Sequence, residues 1–158
     1  KRGGDKYKKY INMGVQIIWQ CGEKNISNIK GIINNQNVYL CGFINPVDMP
    51  YYYKAANLVI SRAGALTLSE LANFNLPSIL IPFPHSANNH QLYNARYFYS
   101  HKAAEIVLQD ELDSGLLEKK VEKIINNNKI IDLMRTEIKK IAKPHAAELI
   151  AAEIVKAY

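Results

Sequence analysis

Asn57-Leu58-Val59-Ile60-Ser61-Arg62-Ala63-Gly64-Ala65-Leu66-Thr67-Leu68-Ser69-Glu70 is the stretch that decides the fold. Its opening residues form a short apolar run, continuous rather than alternating, as in strands covered on both faces. Small residues around Gly64 then let the backbone turn tightly or approach a ligand, and Gly64 permits a positive φ if the turn needs one. From Leu66 to Phe74 the pattern becomes helical. Strand, tight loop and helix in direct succession form the repeating unit of parallel α/β sheets.

The same run recurs on both sides. Val15-Gln16-Ile17-Ile18-Trp19, bounded by Gly14 and Gly22, reads as a buried strand, as do Asn37 to Cys41, Ser78 to Ile81 and Glu105 to Leu108. Helical stretches separate them. Asp48 reads as the cap of a helix with Pro50 near its start and Tyr51 to Ala56 in its body. Another helix runs from Asn89 to His101. After the last strand the chain turns all-helical. Asp113 reads as a cap before Leu116, Leu117, Val121, Ile124 and Ile125 at helical spacing, Ile130 to Ile141 repeats the pattern, and Pro144 opens a final helix reaching Val155. Asn126-Asn127-Asn128 is a polar break between two of these helices. The expectation is an α/β protein with a doubly wound parallel sheet and C-terminal helices. Ligands of such sheets bind beyond the carboxyl ends of the strands, so the loops after Cys41, Ile60 and Ile81 draw attention.

Composition narrows the class. The 158 residues suffice for one domain, and 48% apolar with 22% charged residues is ordinary for a globular protein. No apolar run approaches the roughly 18–20 residues needed to span a bilayer. Lys1-Arg2-Gly3-Gly4-Asp5-Lys6 has no apolar region behind it, unlike a signal peptide. With no Met at its start and an abrupt basic opening, the chain reads as a fragment of something longer. Cys21 and Cys41 lack CxxC spacing and read as buried free thiols in a reducing cytoplasm. The net charge of +6 is scattered over several helix faces and is dense only from Lys1 to Lys9 and Lys139 to Lys143. That distribution reads as a solvated surface. With no RNA-binding aromatic motif, nucleic acid is not an expected partner.

Two segments could carry chemistry. In the first, the free N–H groups at the helix start after Gly64 favour an anion such as a diphosphate. Glu70, within the first two turns, can accept both hydroxyls of a ribose. Thr67-Leu68-Ser69-Glu70 equally fits a capping box, and spacing alone favours the cap. In the second, Ile81-Pro82-Phe83-Pro84-His85-Ser86-Ala87-Asn88-Asn89-His90-Gln91, prolines fix the loop's exit and amide and imidazole groups follow. Such groups both donate and accept, which suits a polyhydroxyl sugar, but the segment alone narrowly favours a plain helix cap by Asn88 or Asn89. His85, His90, His101 and His145 show no HExxH or paired spacing, so no metal site is expected. A GxSxG elbow, a Walker loop and a pair of acids placed for hydrolysis are also missing. Trp19 and Tyr51-Tyr52-Tyr53 read as packing residues.

Together the two segments resemble the C-terminal domain of the MurG family, bacterial transferases that add N-acetylglucosamine to lipid-linked muramyl-pentapeptide. The matching stretches are Ile18 to Gly22, Gly42-Phe43-Ile44, Leu58 to Glu70, Leu76 to Pro82, Asn89-His90-Gln91, Asn94-Ala95 and Ala103-Ala104. The resemblance implies the Rossmann-like C-terminal half of a GT-B fold, with residues 1–158 as the UDP-N-acetylglucosamine domain and the acceptor-binding N-terminal domain absent. It implies that Ile44 holds the uracil through its backbone. Ala65 to Thr67 line the diphosphate at the helix N-terminus, with Gly64, Leu68 and Ser69 counted among the substrate-binding residues. Glu70 binds the ribose diol, and Gln91, with His90 beside it, contacts hydroxyls of the N-acetylglucosamine. It further implies an inverting displacement without metal or other cofactor, turning lipid I into lipid II at the cytoplasmic side of the bacterial cell membrane. Membrane association is then peripheral and mainly through the other domain. The family's Gly-Gly-Ser phosphate loop is not in this chain, nor is the proposed general base, so no catalytic residue is assigned to it. Two alternatives stay open: another GT-B transferase using a UDP-sugar, such as a glycolipid synthase, and a non-catalytic donor-binding subunit of a split transferase.

Overall fold

The computed structural model describes residues 6–33 and 35–157. Lys1–Asp5, the start of the basic opening, lie outside the described residues, as do Asn34 and Tyr158. The chain divides into two compact units, Lys1–Lys54 and Ala55–Tyr158.

The first unit holds α1 (Lys6–Asn12), β1 (Ile17–Gln20), α2 (Glu23–Lys30), β2 (Val38–Cys41) and most of α3 (Met49–Ala55). β1 and β2 pair in parallel, with Ile17 opposite Val38 and Gln20 opposite Cys41. A parallel pair needs a crossover, and α2 supplies it. Gly22 enters α2 at φ 83°, a conformation open to glycine at no steric cost. A side chain at Gly42 would collide with the Glu23 carboxylate, so the bare backbone there makes room for it. The turn into α3 is organised by Asn45. Its side-chain oxygen accepts the Val47 N–H (3.1 Å) and its carbonyl accepts the N–H groups of Asp48 (2.9 Å) and Met49 (3.0 Å).

The second unit holds β3 (Val59–Ser61), α4 (Ala65–Asn73), β4 (Ser78–Leu80), a 3-10 turn (Ala87–Asn89), α5 (His90–Ser100), β5 (Ala104–Ile106), a second 3-10 turn (Gln109–Glu111), α6 (Leu116–Ile125), α7 (Asn128–Ile141) and α8 (Ala146–Lys156). The three strands run parallel in the order β3-β4-β5. The core is built from Leu68, Leu71 and Ala72 of α4, Ile79 and Leu80 of β4, and Ala95 and Phe98 of α5. Val121 and Ile124 of α6 and Met134 and Ile138 of α7 are buried too, which is the apolar stripe their spacing predicts. Asn127 caps α7, its side chain accepting the N–H groups of Lys129 (3.1 Å) and Ile130 (3.3 Å). An ion pair between Glu105 and Lys120 ties β5 to α6.

The expected α/β class with parallel strands holds, the described strands forming one sheet in each unit. Three local expectations change. Every strand was expected to be covered on both faces, but only β4, with a neighbour on each edge, is buried throughout. Ile18 and Tyr39, opposite each other in register, are 43% and 55% exposed, and Ile60 of β3 is also exposed. Asp113 does not cap α6. The helix starts after Gly115, which sits at φ 81°, and the Leu116 N–H goes to the Ser114 hydroxyl (3.2 Å). A left-handed residue at that position favours glycine over any residue with a Cβ. The thiols of Cys21 and Cys41 are free but only half-buried. Among the described residues no helix is long and apolar enough to cross a membrane.

Candidate functional site

In the second unit three parallel strands deliver their following loops to one end of the sheet. The ladder continues past the strands, with the Ile81 N–H donating to Ser61 (2.8 Å) and the Val107 N–H to Leu80 (3.0 Å). From β3 the chain passes through Arg62 and Ala63 to Gly64, the N-cap of α4. Gly64 lies at φ −68° and ψ 144°, extended backbone, so the positive φ that glycine would permit is not used. No side chain caps the helix, and its first intrahelical bond runs from the Leu68 N–H to the Gly64 carbonyl (3.0 Å). The N–H groups of Ala65, Leu66 and Thr67 precede that bond and stand at the positive end of the helix dipole. A Cβ on Gly64 would meet only the Thr67 hydroxyl, at 3.9 Å. The protein itself does not demand glycine here.

Because α4 starts at Ala65, Thr67 is inside the helix and cannot be an N-cap. The Thr67–Glu70 capping box is therefore not formed, which removes the capping reading of Glu70. Glu70 is half-buried in the second turn. Leu66 is 75% exposed, Ala65 and Ser69 are exposed, and Thr67 is half-buried. Leu68 belongs to the core, so it can offer a ligand only its backbone. Its spacing with Leu71 and Ala72 was a core stripe already visible in the sequence. Ser69 lines a shallow groove of about 220 Å³ with Asn94, Tyr97 and Lys143.

The loop after β4 is tied to this turn by side chains. The Arg62 guanidinium donates through Nη1 to the carbonyls of Ile81 (3.1 Å) and Pro82 (3.4 Å) and through Nη2 to the Gln109 side-chain oxygen (2.7 Å). It also lies over the Phe83 ring, 5.5 Å from the centroid. The Phe83 N–H donates to Gln91 Oε1 (3.0 Å), and the Gln91 N–H reaches the Ser86 hydroxyl (3.4 Å). Asn94 Nδ2 donates to the Ala63 carbonyl (3.1 Å). The stretches Ser61–Glu70 and Ile81–Gln91 are thus brought together. Neither Asn88 nor Asn89 works as a side-chain cap. Both adopt positive φ, 48° and 54°, and Asn89 is the N-cap of α5 with no capping bond. Asparagine is there for the backbone it tolerates. His90 is exposed, and its Nδ1 lies 2.7 Å from the Ala87 carbonyl. A carbonyl only accepts, so Nδ1 carries the proton and Nε2 of the neutral ring is left as an acceptor.

Ile44 lies in the first unit, beyond β2, and is 6% exposed. Nearby, burial above all pushes the Cys41 thiol up, with Cys21 and Glu23 adding to the effect. The Tyr52 hydroxyl is pushed up to about 12, chiefly by its hydrogen bond to Tyr39 (3.4 Å). Both groups hold their protons at neutral pH and are no general bases. Arg62, Asn94 and Gln109 were given no role by sequence reasoning. An arginine amid small loop residues was the available hint for the first, and nothing local marks Gln109.

Residues 4–150 match the model of the glycosyltransferase family 28 C-terminal domain. The chain is 40% identical over 147 residues to the UDP-N-acetylglucosamine–N-acetylmuramyl-(pentapeptide) pyrophosphoryl-undecaprenol N-acetylglucosamine transferase of Thermodesulfovibrio yellowstonii, covering 93% of this chain and 40% of that protein. Against the transferase of the same name from Caldicellulosiruptor saccharolyticus it is 40% identical over 124 residues, 78% of this chain and 32% of the relative. The crystal structure of Acinetobacter baumannii MurG superimposes with a TM-score of 0.80 at 24% identity, over 97% of this chain and 45% of that one. Glycosyltransferase VinC, solved in complex with dTDP, gives 0.71 at 12% identity, over 98% and 38%. These two likenesses show the fold. The chain spans 32% and 40% of the length of the two curated relatives above. Matched over nearly its whole length, the chain belongs to the glycosyltransferase family 28 C-terminal domain family.

Proposed function

We propose that this chain is the donor-binding domain of a transferase that moves N-acetylglucosamine from UDP-N-acetylglucosamine to lipid I, giving lipid II for the bacterial cell wall. The observation that carries the reading is the uncapped first turn of α4, held beside Gln91 by Arg62 and Asn94. The N–H groups of Ala65, Leu66 and Thr67 take the diphosphate, and Gly64 lets it approach the backbone. Leu68 and Ser69 complete that turn. Glu70 accepts the ribose hydroxyls, and the backbone of Ile44 receives the uracil. Gln91 has its Oε1 engaged with Phe83, so its Nε2 is the group presented to a sugar hydroxyl. His90 offers Nε2 as an acceptor beside it.

The acceptor hydroxyl attacks the anomeric carbon with inversion while UDP leaves, its charge stabilised by the α4 dipole and the free N–H groups. Lipid I, the base that activates it and the peripheral contact with the cytoplasmic side of the membrane are assigned to the part of such a protein that this chain does not span. On this reading the 158 residues bind donor and transfer nothing.

A calorimetric comparison of UDP-N-acetylglucosamine, UDP-glucose and UDP-galactose tests the proposal. Tightest binding of UDP-N-acetylglucosamine is expected. Equal affinity for all three would place the chain with another UDP-sugar transferase. Transfer to a lipid I analogue by this chain alone would sink the assignment of acceptor and base elsewhere.

A further inference from the structure

We infer that Arg62 is a positioning residue that sets the sugar end of the donor site by holding the β4–α5 loop in place; this rests on the donor reading above. Its guanidinium is engaged with protein groups on three sides. It reaches the carbonyls of Ile81 and Pro82 at the exit of β4, the Gln109 side chain in the turn after β5, and the Phe83 ring. One side chain from the β3 exit thereby links the exits of all three strands. A lysine cannot reproduce this, because a planar fork makes several directed bonds and stacks on an aromatic face while an ammonium is a point charge.

The loop needs such an anchor for a reason visible in its composition. Pro82 and Pro84 have no backbone N–H, so Phe83 carries the single donor between Ile81 and His85. That donor goes to Gln91 Oε1. The carbonyls of Ile81 and Pro82 go to Arg62. Two side chains, Arg62 and Gln91, thus engage the main chain from Ile81 to Phe83, and one of them is the proposed sugar ligand. While Arg62 fixes the loop, Phe83 fixes the face of the Gln91 carboxamide, and Nε2 points its donors at the sugar. Without Arg62 the loop beyond Ile81 loses its side-chain tie to the β3 exit, and the carboxamide loses its fixed orientation. The diphosphate turn and Glu70 lie on α4 and keep their places. The effect therefore falls on the sugar and spares the nucleotide.

Titration of the 158-residue chain with UDP and with UDP-N-acetylglucosamine reads this directly. In the wild type the sugar nucleotide is expected to bind more tightly than UDP. Arg62→Ala should weaken UDP-N-acetylglucosamine about tenfold, the worth of one well-placed hydrogen bond, while leaving the UDP affinity within about a factor of two. Arg62→Ala combined with Gln91→Ala should bind no more weakly than Gln91→Ala alone, because both act on one contact. Arg62→Lys and Gln109→Ala, which leave the fold less disturbed, should move sugar discrimination the same way by less. Equal weakening of UDP and UDP-N-acetylglucosamine would overturn the proposal, since it would mean that the guanidinium meets the diphosphate itself. Unchanged discrimination in all the variants would overturn it too. A wild-type chain with no preference for the sugar nucleotide removes the donor reading, and this role with it.

Discussion

The Asn94 side-chain amide donates to the Ala63 carbonyl at 3.1 Å, across 31 residues of sequence. Ala63 is fully buried and Asn94 half-buried, so the bond fastens the second turn of α5 to the loop that leads into α4. Removing it leaves a carbonyl at a buried position without that donor. Asn94→Ala is expected to lower unfolding stability by about 1–3 kcal/mol. Asn94→Asp should be at least as harmful, since a carboxylate cannot donate. Urea denaturation of the three proteins checks this, and a midpoint unchanged in both variants would show that the bond is dispensable.

Glu70 does not cap α4, and on the donor reading its substitution is felt by the ligand. Glu70→Ala is expected to weaken UDP-N-acetylglucosamine by about 1.5–3 kcal/mol, the range for a bond to a charged acceptor, or on the order of 10–100-fold. Glu70→Gln should lie between. The same affinity in all three proteins, with a lowered melting temperature in Glu70→Ala, would return Glu70 to a purely structural role.

Gly64 separates ligand effects from folding effects. Its backbone is extended and a Cβ there meets nothing closer than 3.9 Å, so alanine fits the fold. Gly64→Ala should change stability by no more than about 1 kcal/mol, since restriction of the unfolded chain is offset by alanine's poorer fit at a helix N-cap. A methyl group beside three free N–H groups should nevertheless keep a diphosphate away and weaken UDP by about tenfold. Unimpaired UDP binding in a fully folded variant would argue against an anion at this turn.

The Cys41 thiol is held up mainly by burial, and this ties stability to alkaline pH. The unfolded chain releases the proton at the ordinary thiol pKa, near 8.5, before the folded one does. The folded state is then favoured below that pH and loses ground as pH rises through it. Unfolding followed between pH 7 and 10 should show a decline that Cys41→Ser reduces. Parallel curves for the two proteins would rule the thiol out as its source.

What could be read from the chain before its structure follows the range of the interactions involved. Val59 to Ser61 and Ser78 to Leu80 are strands in both readings because a contiguous apolar run carries that signal. The turn from Gly64 to Glu70 was legible as a helix start for the same reason. Caps failed at Thr67 and Asp113, because α4 and α6 begin after Gly64 and Gly115 with no side-chain cap at either start. Tertiary packing chooses where a helix begins, and Leu68, buried at 4%, had to face the core. The bonds from Arg62 to Gln109 and from Asn94 to Ala63 span 47 and 31 residues and leave no periodic trace. Coverage of strands was unreadable as well. Ile18 and Tyr39 look like core residues in sequence and lie exposed side by side on β1 and β2.

Asn88 and Asn89 stand one after the other with left-handed backbones just ahead of α5. At these two positions the main chain, and no partner of the side chain, sets the permitted alphabet. Asparagine, aspartate and glycine enter that region at little expense, while β-branched and bulky residues do not. A randomised library selected for folding should come back narrow here and broad at exposed Ala87 next to them. The tolerance of this loop to evolutionary drift is therefore written in its torsion angles, two residues upstream of the side chain that the proposed sugar would meet.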